Sequence, residues 1–202
     1  EIYTLSLHDA LPISIVGGYE IIAGHRRKYA CEMVGLSTMP MFIRDYTDDE
    51  ATIIMVDSNI QREDILPSEK SKAYRMKYDA MKHKGSKAGG LTLGELGEAA
   101  GESAKTVQRY IWISRLLDEL LDMVDTKKIG IIQAVDLSFL SEDAQQWVLA
   151  VMQETNVIIT TLQSAMLKES DKKGELTLPM VRMLLEKEKT MEIGRASCRE
   201  RV

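Results

Sequence analysis

The spacing of apolar and polar positions changes rhythm along this chain. Tyr19–Ala23 (YEIIA) is a short β-prone run that stops at Gly24, and Arg26–Met33 then follows a helical pattern. Met41–Arg44 reads as a second strand. Thr47, with Glu50 three residues on, forms a capping box that opens a helix through Asp57. Asn59–Leu66 is polar and irregular, and Pro67 with Ser68 starts a helix that runs to His83. Gly85–Gly90 (GSKAGG) is the clearest linker. Beyond it the pattern is helical: Leu91–Ala100, Ala104–Leu117, Leu120–Val124, Ile131–Leu137, Glu142–Gln153 and Thr160–Lys168. Asp171–Gly174 is a second linker, and Pro179–Lys189 begins a last amphipathic helix. This order predicts an α+β protein, mostly helical overall. A small mixed lobe covers 14–84, an all-α lobe 85–170, and a linker with the start of a C-terminal helix 171–192.

The two ends read differently. Thr4–Ile13 (TLSLHDALPI) and Ile193–Val202 (IGRASCRERV) can be encoded by opposite strands of one DNA stretch. Both resemble a translated sequencing adapter, so 1–13 and 193–202 are set aside as foreign flanks. Cys198 and His8 leave with them, and the remainder holds one cysteine, Cys31, and two histidines, His25 and His83. An intrachain disulfide is then impossible and a multi-ligand metal site improbable on composition. The true termini are expected to lie beyond these residues.

Composition adds bounds. At 202 residues and 45% apolar, the chain is long enough for one ordinary domain or two small ones, which argues against uniform disorder. No apolar run approaches the roughly 20 residues that span a bilayer, so a cytoplasmic protein without a membrane role is expected. The net charge of −5 conceals a segregation. Pro67–Arg115 carries 10 Lys/Arg against 5 Asp/Glu, whereas the stretches on either side are acidic. A basic middle suits a polyanion contact, because Lys and Arg near phosphates release condensed counterions. A solvated helix face has the same composition, so charge alone does not decide.

Two motifs carry chemistry. In Leu93–Tyr110 (LGELGEAAGESAKTVQRY), Thr92 and Glu95 form a capping box, and Leu96 and Ala100 face inward. Gly97 permits close helix approach, and Gly101 sits where the backbone must turn sharply. Ser103 caps the next helix, while Val107 and Ile111 lock it onto the first. Lys105, Thr106, Gln108 and Arg109 are left facing outward, where a recognition helix meets base edges and phosphates. Ser103 lies beside them at the same DNA-facing end. A helical hairpin with a polar face is the plainer alternative, and the local excess of positive charge counts against it. The second motif is Gly24-His25-Arg26-Arg27, a glycine at a strand end followed by a helix start with two arginines. Free N–H groups and guanidinium forks there suit a triphosphate, and the polar run Ser58–Asp64 is placed to close over it. Taken singly, arginines at a helix start are more often a solvated edge. Cys31, Tyr29 and Met33 are assigned to packing, and His25 to a hydrogen-bonding role rather than metal ligation.

The order of these pieces is more specific than any one of them. YEIIAGHRRKYAC, then NIQREDILPSEKSKAYRMKY, then a helix-turn-helix resembles the ParB family of partition proteins, of the RepB-like plasmid or mobile-element type, over nearly all of Ser14–Leu167. Gly24-His25-Arg26-Arg27 matches the family's arginine box, commonly G-E-R-R, and Asn59–Asp64 matches its second box. Asp125–Ile131 (DTKKIGI) looks like the usual continuation after the helix-turn-helix. The resemblance implies a ParB/sulfiredoxin-like first lobe that binds CTP with Mg²⁺ and a second lobe that binds a palindromic centromere-like site on double-stranded DNA. By position, Gly24, Arg26 and Arg27 would cradle phosphates, with His25 and Ser58 in the same site, Asn59 holding the metal and Arg62 supporting the phosphate-binding segment. A homodimer closing as a sliding clamp, a ParA-type ATPase partner and a cytoplasmic, nucleoid- or plasmid-associated location follow from the same resemblance.

Two departures stand out. Ser58 replaces the family's usual Glu, and a hydroxyl is a poorer Mg²⁺ ligand and base than a carboxylate, so CTP turnover is expected to be slow or absent. His25 replaces the Glu of the arginine box and makes the site more cationic. A sulfiredoxin-type reductase would need a nucleophilic Cys in the turn held by Gly24, and Cys31 lies deeper in the helix. The closer rival is a ParB-like transcription regulator or nucleoid-associated protein of a mobile element.

Overall fold

A computed structural model describes residues 11–15, 18–62, 64–83, 93–98 and 101–186. Two strands open it, β1 (Leu11–Ile15) and β2 (Gly18–Ala23), paired antiparallel with Pro12 opposite Ile21 and Ile15 opposite Gly18. β1 takes in Leu11–Ile13, residues that the coding coincidence assigns to a foreign flank. The helices are α1 (His25–Met33), α2 (Asp48–Ile60), α3 (Pro67–His83), α4 (Leu93–Glu98), α5 (Ala104–Ile113), α6 (Asp118–Asp125), α7 (Ile131–Leu137), α8 (Glu142–Thr155) and α9 (Thr161–Lys172). Residues 178–186 are helical as well.

The chain forms two compact units, each with its own set of buried side chains. The first takes in residues up to Ile65 together with Ala73–Val107, the second Leu66–Lys72 and Gln108 onward. The division falls inside α3 and α5, whereas the linker expected at 85–90 lies outside the described residues.

In the first unit, α2 packs on β2 and buries Val56 and Ile60. Its start is set locally: the Thr47 hydroxyl accepts from the Glu50 N–H at 3.3 Å, and the Glu50 carboxylate accepts from the Thr47 N–H at 3.1 Å. This is the capping box expected from the sequence, and it satisfies two N–H groups that water would otherwise have to serve.

The second unit has a continuous apolar core that includes Leu120, Leu121, Leu137, Val148, Leu167 and Leu185. Trp112 and Phe139 meet edge to face with centroids 5.1 Å apart, a preferred aromatic geometry. Buried amides stitch the helices together. The Gln145 carbonyl accepts from the Leu117 N–H at 3.0 Å while its amide donates to Leu140 O. Gln163 closes a capping box on Thr160 and donates to the carbonyls of Leu184 and Leu185.

Several expectations need correction. Met41–Arg44 is not a strand: Arg44 alone makes a bridge, and Met41–Ile43 are exposed, so the burial that drives sheet pairing is missing. The α2 helix continues to Ile60, because Ile60 still reaches the core, so Ser58 and Asn59 sit on its last turn rather than in a loop. The fifth helix stops at Ile113, where the Ser114 hydroxyl donates to Ile111 O and the chain tightens toward Leu117. Asp171–Gly174 is not a linker, since α9 runs through Lys172 and Gly174 (φ 71°) turns the chain back. Leu176, Val181 and Leu185 then enter the core. Tyr29 and Met33 are exposed and Cys31 half-buried, not packed. Tyr29 and Met33 stand four residues apart on α1, and no residue of α1 is buried.

Candidate functional site

The first unit holds an open cavity of about 480 Å³, within the size range of small-ligand sites. Ile22 and Ala23 at the end of β2 form one side and lead into Gly24. Gly24 has φ 101° and ψ 15°, a left-handed conformation that costs a residue with a Cβ free energy and glycine very little. That turn lets its carbonyl accept from the N–H groups of Arg27 and Lys28, both at 3.0 Å, and so launches α1. No side chain caps α1 and no acidic residue lies in its first turn. The positive end of the helix dipole therefore lies at the cavity with no acidic side chain of α1 against it.

His25, Arg26 and Arg27 line the cavity from α1, and Met55, Ser58, Asn59 and Arg62 line it from α2 and the residues just after it. The two sets are far apart in sequence and meet because α2 packs on β2. Gly24, His25, Arg26, Arg27, Ser58, Asn59 and Arg62, named from the sequence, all border this one cavity. Among the described residues its lining has three guanidinium groups and no carboxylate, so its chemistry favours a multiply charged anion. Sequence reasoning missed Met55 and Ile22, which supply apolar wall. Their spacing from Asn59 and Gly24 on known elements was the available signal. Among the described residues no cluster of three or more His, Cys, Asp or Glu forms a metal site. A cation here would draw on Asn59 and Ser58 and on oxygens brought by the ligand, which is how Mg²⁺ commonly arrives with phosphates.

The helix-turn-helix is built as the residue pattern requires. Leu96, Val107 and Ile111 are buried. A Cβ on Gly97 would stand 2.5 Å from the Glu102 carbonyl oxygen and 2.8 Å from Val107 Cγ2, so only glycine fits there. Gly101 turns the chain with φ 65°. The Ser103 hydroxyl accepts from the Thr106 N–H at 3.2 Å and pairs with the Thr106 hydroxyl at 2.9 Å. The Tyr74 hydroxyl, fully buried with its ring, donates to Glu102 at 3.1 Å and braces the turn from α3. Lys105 is exposed on α5, and Thr106, Gln108 and Arg109 are partly exposed beside it. Thr92 and Ala100 lie outside the described residues.

The arginine-lined cavity and the start of the helix-turn-helix lie in the same compact unit. Residues 8–60 match the family model of the ParB N-terminal domain. The match begins inside the stretch set aside as a foreign flank. The chain is 31% identical over 130 residues to the chromosome-partitioning protein Spo0J of Thermus thermophilus, covering 64% of this chain and 45% of that protein. It is 30% identical over 128 residues to the nucleoid occlusion protein of Listeria innocua, covering 63% and 42%. It thus spans less than half the length of these relatives. The fold is similar to the crystal structure of the C-terminally truncated partitioning protein ParB from Caulobacter crescentus complexed to the centromeric parS site. The TM-score is 0.50 at 21% identity, over 90% of this chain and 83% of that one. Residues 8–60 are thus similar to a ParB N-terminal domain.

Proposed function

We propose that this chain is a sequence-specific DNA-binding protein of the ParB type. It acts as a homodimer on a palindromic centromere-like site, and CTP with Mg²⁺ in the cationic cavity governs closure of the two protomers into a clamp. The convergence of Gly24, Arg26, Arg27, Asn59 and Arg62 on one cavity is the observation that carries this reading. Gly24 and the α1 N-terminus supply N–H donors, Arg26 and Arg27 supply charge to the phosphates, and Asn59 offers an oxygen to the metal. Arg62 closes the rim. The triphosphate supplies the charge that this pocket is built to balance. With Ser58 where a carboxylate base would stand, nucleotide binding with slow or absent turnover is expected; brisk CTP hydrolysis stimulated by cognate DNA would contradict it.

On the DNA side, a single helix-turn-helix reads few base pairs, and two-fold pairing doubles the contact. Gln108 and Arg109 are residue types suited to bidentate contacts with adenine and guanine, Lys105 meets phosphate, and Ser103 and Thr106 lie at the same DNA-facing end. Arg109→Ala should cost roughly 1–3 kcal/mol at one base position and relax discrimination there. Lys105→Ala should weaken all duplexes alike and flatten the salt dependence by about one unit. Fluorescence anisotropy on cognate and scrambled duplexes over a salt series separates the two effects. Parent-like behaviour of both variants would show that α5 does not read DNA.

The direct test is genome-wide mapping of bound sites with and without CTP, using the gene amplified from intact DNA. Discrete palindromic sites with nucleotide-dependent spreading are expected. Uniform occupancy indifferent to CTP would sink the reading. The sequence of that gene also decides whether residues 4–13 and 193–202, which we read as adapter-encoded, belong to the protein. A second reading, a transcription regulator or nucleoid-associated protein of a plasmid or mobile element, is favoured by the similarity to a nucleoid occlusion protein. A neighbouring gene for a ParA-type ATPase separates partition from that role.

A further inference from the structure

Lys77 on α3 is a buried cation, with its side chain 4% exposed. Its ammonium donates to Asp57 Oδ1 at 2.5 Å and to the Leu96 carbonyl oxygen at 3.2 Å. Asp57 belongs to α2, and Leu96 to α4, the first helix of the helix-turn-helix. One side chain therefore holds together the helix that lines the cavity and the helix that supports the DNA reader. All three residues lie in the first compact unit.

The placement along α2 matters. At 100° per residue, Met55, Ser58 and Asn59 fall on or close to one face of α2, and Arg62, just past the helix end, lines the same cavity. Asp57 falls on the opposite side and meets Lys77 there. A helix is stiff over three turns, so a small shift or rotation of α2 toward a ligand displaces Asp57 as well. The bond to Leu96 passes that displacement to α4 one residue before Gly97, where α4 and α5 are so close that nothing larger than glycine fits.

Stability alone gives a poor account of this lysine. A buried ion pair can often be replaced by apolar residues of similar volume without loss, so it is weak evidence for a stabilising role. Lys77 is buried while Asp57 keeps 28% of its side chain exposed, and such a pair with a third, backbone partner can fix the register between elements. Among the described residues no buried side-chain nitrogen or oxygen atom lacks a partner, so the network is fully satisfied in this conformation. Tyr74, three residues earlier on α3, grips Glu102 of the turn, and α3 thus holds the motif at a second point.

We infer that Lys77 is a positioning residue through which occupation of the arginine-lined cavity changes the DNA affinity of the helix-turn-helix. The inference rests on the proposed nucleotide site. It predicts a loss of coupling with both binding activities retained, which a purely structural role would not produce.

The experiment uses the full chain, CTP with Mg²⁺, and a duplex carrying the palindrome that the parent selects from a random pool. Duplex affinity is measured with and without CTP-Mg²⁺, and CTP affinity with and without duplex. The parent is expected to show a reciprocal factor of at least about fivefold, the lower end of ordinary allosteric coupling. Lys77→Met and Asp57→Asn should each keep both separate affinities within about threefold, and their coupling factor should fall toward one. Should either single variant fail to fold for want of a partner in the interior, Asp57→Leu/Lys77→Met leaves no orphaned charge and must show the same loss. Variants that couple as strongly as the parent overturn the inference and leave the nucleotide site standing. A parent that binds both ligands independently overturns it too. A parent that takes up no CTP fails before any variant is made, and the proposed function falls with it.

Discussion

Replacing Arg26 and Arg27 together by alanine is expected to lower CTP-Mg²⁺ affinity by about a hundredfold or more while leaving the fold intact. Each guanidinium–phosphate contact is charge-assisted and worth roughly 1.5–3 kcal/mol, and about 1.4 kcal/mol is a factor of ten. Arg26 is exposed and Arg27 partly so, which places the effect at the lower end of the sum, because water and salt screen the charge. No residue of α1 is buried, so neither side chain supports the core, and the thermal midpoint should barely move. Titration calorimetry reads the affinity and circular dichroism the fold. Parent-like affinity in the double variant would mean that the cavity is not the nucleotide site. The same variant should bind duplex without CTP as the parent does, because Lys105 and Arg109 lie on α5.

Gly97→Ala is expected to damage the other activity. The added methyl meets the Glu102 carbonyl oxygen at 2.5 Å, and a backbone carbonyl cannot swing away as the tip of a flexible side chain does. Glu102 is further held by its own N–H, which donates to the Gly97 carbonyl at 3.0 Å. Forcing the turn open costs roughly 1–3 kcal/mol, against which alanine's better helix propensity returns about 1 kcal/mol. Duplex affinity should fall about tenfold or more through the misplaced start of α5. Calorimetric CTP affinity in the absence of duplex should hold within about threefold. Gly101→Ala is the informative comparison. It has open space around its Cβ but φ 65°, so its cost is backbone strain of about 1–2 kcal/mol. If Gly97→Ala bound duplex as well as the parent, the close approach of α4 to the turn would have no part in DNA binding.

Local chemistry made much of this molecule legible from its residues. The Thr47 capping box, the extent of α3 from Pro67 to His83 and that of α7 from Ile131 to Leu137 depend on contacts within a few positions, and the structure keeps them. So do the Gly101 turn and the Ser103 cap. Tertiary contact defeated the same reasoning elsewhere. Met41–Arg44 has strand composition, yet only Arg44 makes a bridge and Met41–Ile43 are exposed. Tyr29 and Met33 have helical spacing and no buried face to join. Asp171–Gly174 has linker composition, yet Gln163 ties the segment after it to the core through the Leu184 and Leu185 carbonyls.

Residue type and order were enough to name both halves of the candidate site, because glycine before a helix start and arginine in its first turn carry their chemistry wherever the chain goes. That Gly24–Arg27 and Ser58, Asn59 and Arg62 border a single cavity depends on α2 lying against β2, a contact between segments 25 or more positions apart. The role of Lys77 was invisible for the same reason. A lysine in the middle of an amphipathic helix is ordinarily a solvated charge, and only the approach of α2 and α4 to α3 makes it an interior cation with two partners. Short-range hydrogen bonding and backbone sterics were written in neighbouring residues, whereas burial is a property of what packs alongside, and three-dimensional assembly alone decided it.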